Sequence, residues 1–79
     1  MKYLYFSAEW CGPCKSLAPI MNQVGQSIEV QKIDVDKQSD LASQYNIRSV
    51  PTVILIKAGM EVKRFNGVQS ASTYLNALK

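Results

Sequence analysis

The sequence predicts an α/β fold in which a mixed sheet carries helices on both faces, in the order β-α-β-α-β-β-α. Three observations predict it. Over residues 2–34 a strand-like run, a helix-period run and a second strand-like run follow one another, a passage that makes the two strands parallel. The run Thr52-Val53-Ile54-Leu55-Ile56 behind Pro51 reads as a strand covered on both faces. Ala58-Gly59 then turns the chain straight back, which adds an antiparallel pair.

Each element has its own signal. Residues 2–7, Lys-Tyr-Leu-Tyr-Phe-Ser, are aromatic-rich and fit a buried strand. From Gly12 to about Ser27, Leu17, Ile20, Met21, Val24 and Ile28 fall on one helical face. Pro19 lies inside that run and predicts a kink, because it removes a hydrogen bond and clashes one turn back. Residues 29–34, Glu-Val-Gln-Lys-Ile-Asp, form the second strand. A short helix is expected from Ser39 to Tyr45, with Ser39 as its cap and Leu41, Ala42 and Tyr45 facing inward. Met60 to Asn66 returns as an edge strand carrying Glu61, Lys63 and Arg64 outward, and Gly67 breaks it. Ala71, Tyr74, Leu75 and Leu78 then repeat at helical spacing and close the chain.

Composition excludes more than it selects. Seventy-nine residues leave room for one domain, 1–79, with a small core, since a chain of this size buries only about 60% of its unfolded surface. A hydrophobic share of 47% against 19% charged describes a globular chain rather than a disordered one. The net charge of +3 is mild and its basic residues are scattered, Lys63-Arg64 being the only adjacent pair, so no nucleic-acid partner is expected. The longest strictly apolar run, Val53 to Ile56, is far short of the roughly 20 residues of a bilayer helix, and no membrane partner is expected. The opening Lys2-Tyr3-Leu4-Tyr5-Phe6 imitates a secretory signal only faintly, being too short and ended by Ser7 and Glu9, so the reading is of a mature intracellular chain. With no histidine and two cysteines, there is no histidine base, no Cys-His pair and no four-ligand zinc set. Asp34 and Asp36 alone are too few ligands for a hard cation. The chemistry rests with Cys11 and Cys14.

Cys11-Gly12-Pro13-Cys14 lies where the first strand hands over to the first helix. Positions three apart on a helix face the same side at roughly 5–6 Å, a span that a disulfide can close. Cys11 falls at or near the N-cap, where backbone N–H groups lack partners and the dipole favours an anion by about 0.3–1 kcal/mol, up to about 2. That lowers a thiol by at most about 1.5 pKa units; more would need N–H···S bonds, with Cys14 one candidate donor. Cys14, one turn further in, is expected to be more buried and more protonated, giving one nucleophile and one resolving thiol. Pro13 suits the first turn, where it has no N–H to lose. Three plainer readings stand beside this one. A structural disulfide over four residues gains only about 2 kcal/mol and would tend to be reduced inside a cell. A zinc half-site would need soft ligands from a second subunit. Two unrelated buried thiols would not need the Gly-Pro spacing.

Trp10-Cys11-Gly12-Pro13-Cys14-Lys15, with Ala8-Glu9 before it and Pro19 after it, resembles the active-site segment of the thioredoxin family. The likeness continues through Lys32-Ile33-Asp34-Val35-Asp36 and Tyr45-Asn46-Ile47-Arg48-Ser49-Val50-Pro51-Thr52, and ends with Gly59 and Gly67. It covers essentially the whole chain in order. It implies a thiol-disulfide oxidoreductase acting as a protein-disulfide reductase, with Cys11 as nucleophile and Cys14 as resolving thiol. It further implies a cis Val50-Pro51 bond facing the disulfide, and a contact surface made of Trp10, Gly12, Pro13, Val50, Pro51, Gly67 and Val68. The partners implied are disulfide-containing proteins and a thioredoxin reductase or other thiol donor. No cofactor or metal is called for, and a cytoplasmic monomer is expected. Lys15 and Arg48 would give the rim a positive potential that favours the Cys11 thiolate and acidic partners. A glutathione-dependent, glutaredoxin-like reductase is the second enzyme reading; it fits the short architecture but not the Trp10-to-Cys14 segment. A binding subunit with incidental redox activity is the third, and the intact cysteine pair argues against it.

Two departures accompany the resemblance. Full-length thioredoxins begin with an extra strand and helix, whereas this chain starts on the strand leading to the cysteines. A minimal thioredoxin fold with a four-stranded mixed sheet follows, as in glutaredoxins and short archaeal thioredoxin-like proteins. The family also usually buries an Asp six residues before the first Cys, partnered by a Lys on the next strand, as the candidate acceptor of the resolving thiol's proton. Here those positions read as Tyr5 and Val30, which predicts weaker or rerouted activation of Cys14, with Glu9 acting through water as one substitute.

Overall fold

The computed structural model describes residues 1–79. Its elements are β1 (Lys2–Ser7), α1 (Gly12–Val24), β2 (Glu29–Asp34), α2 (Ser39–Gln44), β3 (Thr52–Lys57), β4 (Met60–Asn66) and α3 (Ala71–Asn76). The four strands form one sheet in the order β2-β1-β3-β4. β1 runs parallel to β2 and antiparallel to β3, which pairs antiparallel with β4. The expected element order and mixed four-stranded sheet are therefore present, with β1 and β3 central. No helix is long and apolar enough to cross a membrane.

Strand alternation builds two cores. Tyr3 and Tyr5 of β1, with Val53 and Leu55 of β3 and Phe65 of β4, face Leu17, Met21 and Val24 of α1 and Tyr74 of α3. Leu4 and Phe6, with Ile33, Ile54 and Ile56, face the other way, where Leu41, Tyr45 and Ile47 cover them. One sheet face thus holds α1 and α3, and the other holds α2. Thr52 to Ile56 are all buried, as a strand packed on both faces requires.

Several local expectations need correction. α1 stops at Val24, three residues before the periodicity ran out, because Gly25 closes the helix with its N–H on the Met21 carbonyl at 2.8 Å. Pro19 lies inside this helix, as the sequence places it, and is exposed. The cap of α2 is Gln38, with no side-chain hydrogen bond, so Ser39 is the first helical residue rather than the cap. Arg64 does not simply point outward. Its Nη2 donates to the Tyr45 carbonyl at 2.7 Å and to Glu61 at 2.8 Å, tying β4 to the end of α2. That pairing holds the Glu61 carboxyl below its ordinary range.

Ala58 and Gly59 both take left-handed backbone, at φ 54° and 78°, which is the two-residue hairpin turn that matches strand twist. Alanine gains nothing there, whereas asparagine tolerates the left-handed region better. Ala58→Asn is therefore expected to stabilise the fold by roughly 0.5 kcal/mol, read as a higher urea midpoint at unchanged slope. The phenols supply a pH signature. Burial, with the neighbouring Tyr74, pushes Tyr3 from 10.0 up to about 12, and burial also raises Tyr5 and Tyr74. A raised phenol in the folded state means that the unfolded chain ionises first. Stability should be level up to about pH 10 and fall between 10 and about 12. Tyr3→Phe should make that alkaline fall shallower in pH-dependent denaturation.

Candidate active site

β1 ends at Ser7, and after three intervening residues Cys11 takes extended backbone at φ −87° and ψ 110° as the N-cap of α1. Its sulfur accepts the Cys14 N–H at 3.2 Å, the N–H···S bond that the sequence reading required for a larger shift of the thiol. Pro13 occupies the first turn, which contains no acidic residue. Cys11 and Cys14 are joined as a disulfide with their α-carbons 5.4 Å apart. The expected difference in burial is absent: both cysteines are 4% exposed. Asymmetry between them comes from hydrogen bonding and position on the helix.

The surrounding loops take their shape from short polar clips. Trp10 is 70% exposed, and its indole N–H donates to Asp36 Oδ2 at 2.8 Å. Asp34 Oδ1 accepts the backbone N–H groups of Asp36, at 2.8 Å, and Lys37, at 3.3 Å, which shapes the loop after β2. Glu9 forms an exposed ion pair with Lys37 at 3.5 Å. On the other side, the Val50-Pro51 bond is cis. Val50 is half-buried and packs against Ala8, Cys11 and Cys14. The Thr52 hydroxyl donates to the Ser49 carbonyl at 2.8 Å, and the Gly67 N–H donates to the Pro51 carbonyl at 2.9 Å. Gly67 has φ 80°, a conformation that favours glycine, and a Cβ there would meet open space. Gly12 and Pro13 are exposed, and Val68 stands 40% exposed beyond Gly67. Lys15 and Arg48 are exposed and neither is paired with a carboxylate.

Behind Cys14 lies a cavity of about 280 Å³ lined by Tyr5, Ser7, Glu9, Cys14, Lys32 and Asp34 among others. The parallel register pairs Tyr5 with Lys32 and Tyr3 with Val30. The residue beside Tyr5 on the next strand is thus Lys32, not Val30 as read from the sequence; without a register the sequence offers no way to choose between them. Tyr5 is 3% exposed and its hydroxyl donates to the Cys14 carbonyl at 2.8 Å. Burial pushes its pKa up, and the Ser7 side chain offsets this in part. The Tyr5–Cys14 and Trp10–Asp36 contacts were missed by sequence reasoning. A tyrosine in a buried strand predicts some partner for its hydroxyl, but nothing local names which.

This geometry can do dithiol-disulfide chemistry: two sulfurs in bonding reach, one of them at a helix N-terminus. Known proteins agree. The thioredoxin family model matches residues 2–79. A thioredoxin-like protein of Synechocystis is 49% identical over 78 residues, covering 94% of this chain and 74% of that protein. A thioredoxin of Chlamydia trachomatis is 37% identical over 76 residues, covering 92% and 74%. Among solved structures, a thioredoxin variant from Halobacterium salinarum superposes with a TM-score of 0.91 at 36% identity, covering 96% of this chain and 69% of that one. Thioredoxin 1 of Thermosipho africanus gives 0.88 at 31% identity, covering 99% and 90%. The chain belongs to the thioredoxin family and is a thiol-disulfide oxidoreductase, with Cys11–Cys14 as its redox-active disulfide.

Proposed function

We propose that the protein is a protein-disulfide reductase in which Cys11 is the nucleophile and Cys14 the resolving thiol. The observation that carries this reading is the Cys14 N–H donating to Cys11 Sγ at the helix N-cap. Both the N–H and the helix dipole favour negative charge on Cys11 and on no other sulfur. In the reduced enzyme the Cys11 thiolate attacks one sulfur of a substrate disulfide. That bond breaks, and the departing substrate sulfur leaves with its electron pair and takes up a proton. Cys14, losing its own proton, then attacks Cys11 Sγ and releases the second substrate sulfur. Two electrons have passed to the substrate, and the Cys11–Cys14 disulfide remains. A thioredoxin reductase or another thiol donor returns the two electrons.

The substrate would lie across the exposed face of Trp10, Gly12 and Pro13. Val50 and Pro51 would border the sulfurs, and Gly67 and Val68 would let the partner's backbone come close. The free cations of Lys15 and Arg48 suit acidic partners. Residues 1–79 act in this reading as one domain, since both cores share a single sheet, and as a monomer. A reducing cytoplasm suits the work, because there the pair is kept ready as thiols.

Cys14→Ser should accumulate a mixed disulfide with a substrate protein, and Cys11→Ser should not. The reading is overturned if Cys11→Ser is the variant that traps, or if both thiols of the reduced protein alkylate equally slowly near neutrality. A second expectation concerns the rim. Replacing Lys15 and Arg48 together by Gln should slow reaction with an acidic substrate several-fold at low salt, and raising the salt should erase the difference. Equal rates at low salt would remove the rim from the reading.

A further inference from the structure

We propose that Tyr5 is a positioning residue for the resolving step, its hydroxyl holding the Cys14 carbonyl so that the Cys14 sulfur stays directed at Cys11. The proposal rests on Cys14 being the resolving thiol.

Three observations converge. The Tyr5 hydroxyl donates to the Cys14 carbonyl at 2.8 Å, and the Cys14 N–H donates to Cys11 Sγ at 3.2 Å. The peptide groups on both sides of Cys14 are therefore held. The anchor is stiff, because Tyr5 sits mid-strand in β1 with Lys32 of β2 and Val53 of β3 as its neighbours, and is 3% exposed. Finally, α1 is weakened just beyond this point. Pro19 has no N–H, so the Lys15 carbonyl lacks the donor four residues on that a regular helix would supply. The turn that carries Cys14 is thus held to the sheet from outside, one residue before the gap in its own ladder.

The hydroxyl is not the proton acceptor of the step. It is already donating, and burial keeps the phenol protonated beyond its usual range. In the step itself the Cys14 proton leaves to solvent and the Cys14 sulfur gives its electron pair to Cys11 Sγ. The bond from Cys11 to the substrate sulfur breaks, and that sulfur departs with the bonding pair and is protonated. Tyr5 changes none of these atoms. It fixes where the attacking sulfur stands, and small misplacements of a reacting atom are costly in rate.

Tyr5→Phe keeps the ring and removes the hydroxyl. Tyr3→Phe is the matched control: it deletes another buried phenol-to-carbonyl bond, 2.7 Å to Tyr74, from the same strand but away from the cysteines. Stopped-flow kinetics on one substrate disulfide would resolve attack by Cys11 from release by Cys14, with urea unfolding of each variant alongside. Tyr5→Phe should slow release about tenfold and leave attack unchanged, the scale expected for one orienting hydrogen bond. Tyr3→Phe should slow neither step while lowering the urea midpoint comparably. Release at the parent rate in Tyr5→Phe, equal slowing of both steps, or equal slowing in Tyr3→Phe would each overturn the role of Tyr5. Cys14→Ser run in parallel separates the two failures. If it accumulates no mixed disulfide, the assignment of Cys14 itself has failed; if it does, only the positioning role has.

Discussion

Helix α1 begins with a sulfur where helices more often place the oxygen of Ser, Thr or Asp. Everything reactive in the molecule depends on that substitution of cap atom. The first turn carries no carboxylate to answer the helix dipole, so the anion that the helix end favours is the Cys11 thiolate. Its worth is modest, about 2 kcal/mol at most for the dipole. The bond from the Cys14 N–H adds to it. Position matters as much as energy. The chain must leave the sheet at Ser7, cross Ala8 to Trp10, and arrive at Gly12 already helical. A shift of α1 against β1 would take the cap away from its sulfur.

What prevents that shift is a set of tyrosines. Tyr3 and Tyr5 project from one face of β1, and each hydroxyl ends on a helical carbonyl: Tyr74 in α3 and Cys14 in α1. Tyr74 in turn accepts the Gln69 N–H just before α3. Both helices of that face are thus pinned to one central strand by neutral groups, and no buried side-chain polar atom lacks a partner. Neutrality suits so small a core. An ionised carboxylate at the Tyr5 position would need a buried cation beside it to offset its desolvation. Lys32, in register with Tyr5, is exposed and does not fill that need. A phenol at that position makes a hydrogen bond and carries no charge to compensate.

Strands were the most legible part of the chain. The aromatic run of β1 and the apolar run of β3 read as buried strands because burial on both faces leaves no polar residue in the middle of either, only at their ends. Helix ends were harder. Ile28 continues the helical spacing of α1, yet it reaches the core from beyond Gly25 rather than on the helix. Ser39 looks like a cap by residue type, but the backbone begins the helix after Gln38. The cysteine pair was legible in identity, spacing and place on the helix. Its equal burial was not, because the cysteines cluster with Ala8 of their own loop and with Val35 and Val50 from two other loops. Tyr5 and Lys32 could not be matched without a register, and a register belongs to the folded sheet.

That register also explains why the site is assembled from residues as far apart as Trp10 and Val68. Ser7 stands opposite Asp34, Phe6 opposite Thr52, and Thr52 opposite Asn66. One row across the sheet therefore contains the ends of β1, β2 and β4 and the start of β3. Four loops leave from this single edge, and they carry Trp10 with the cysteines, Asp36, Val50 with Pro51, and Gly67. Parallel strands deliver their C-terminal ends to the same side, which is where open α/β sheets place their chemistry. Here the antiparallel hairpin brings two further loops to that side. Clips between neighbours then lock the loops together: Trp10 to Asp36 across β1 and β2, and Gly67 to Pro51 across β4 and β3. The contact surface is in this sense a property of topology. Residue spacing alone could find the two sulfurs, whose partners are local, but not the rest of the edge, whose members meet only once the sheet has formed.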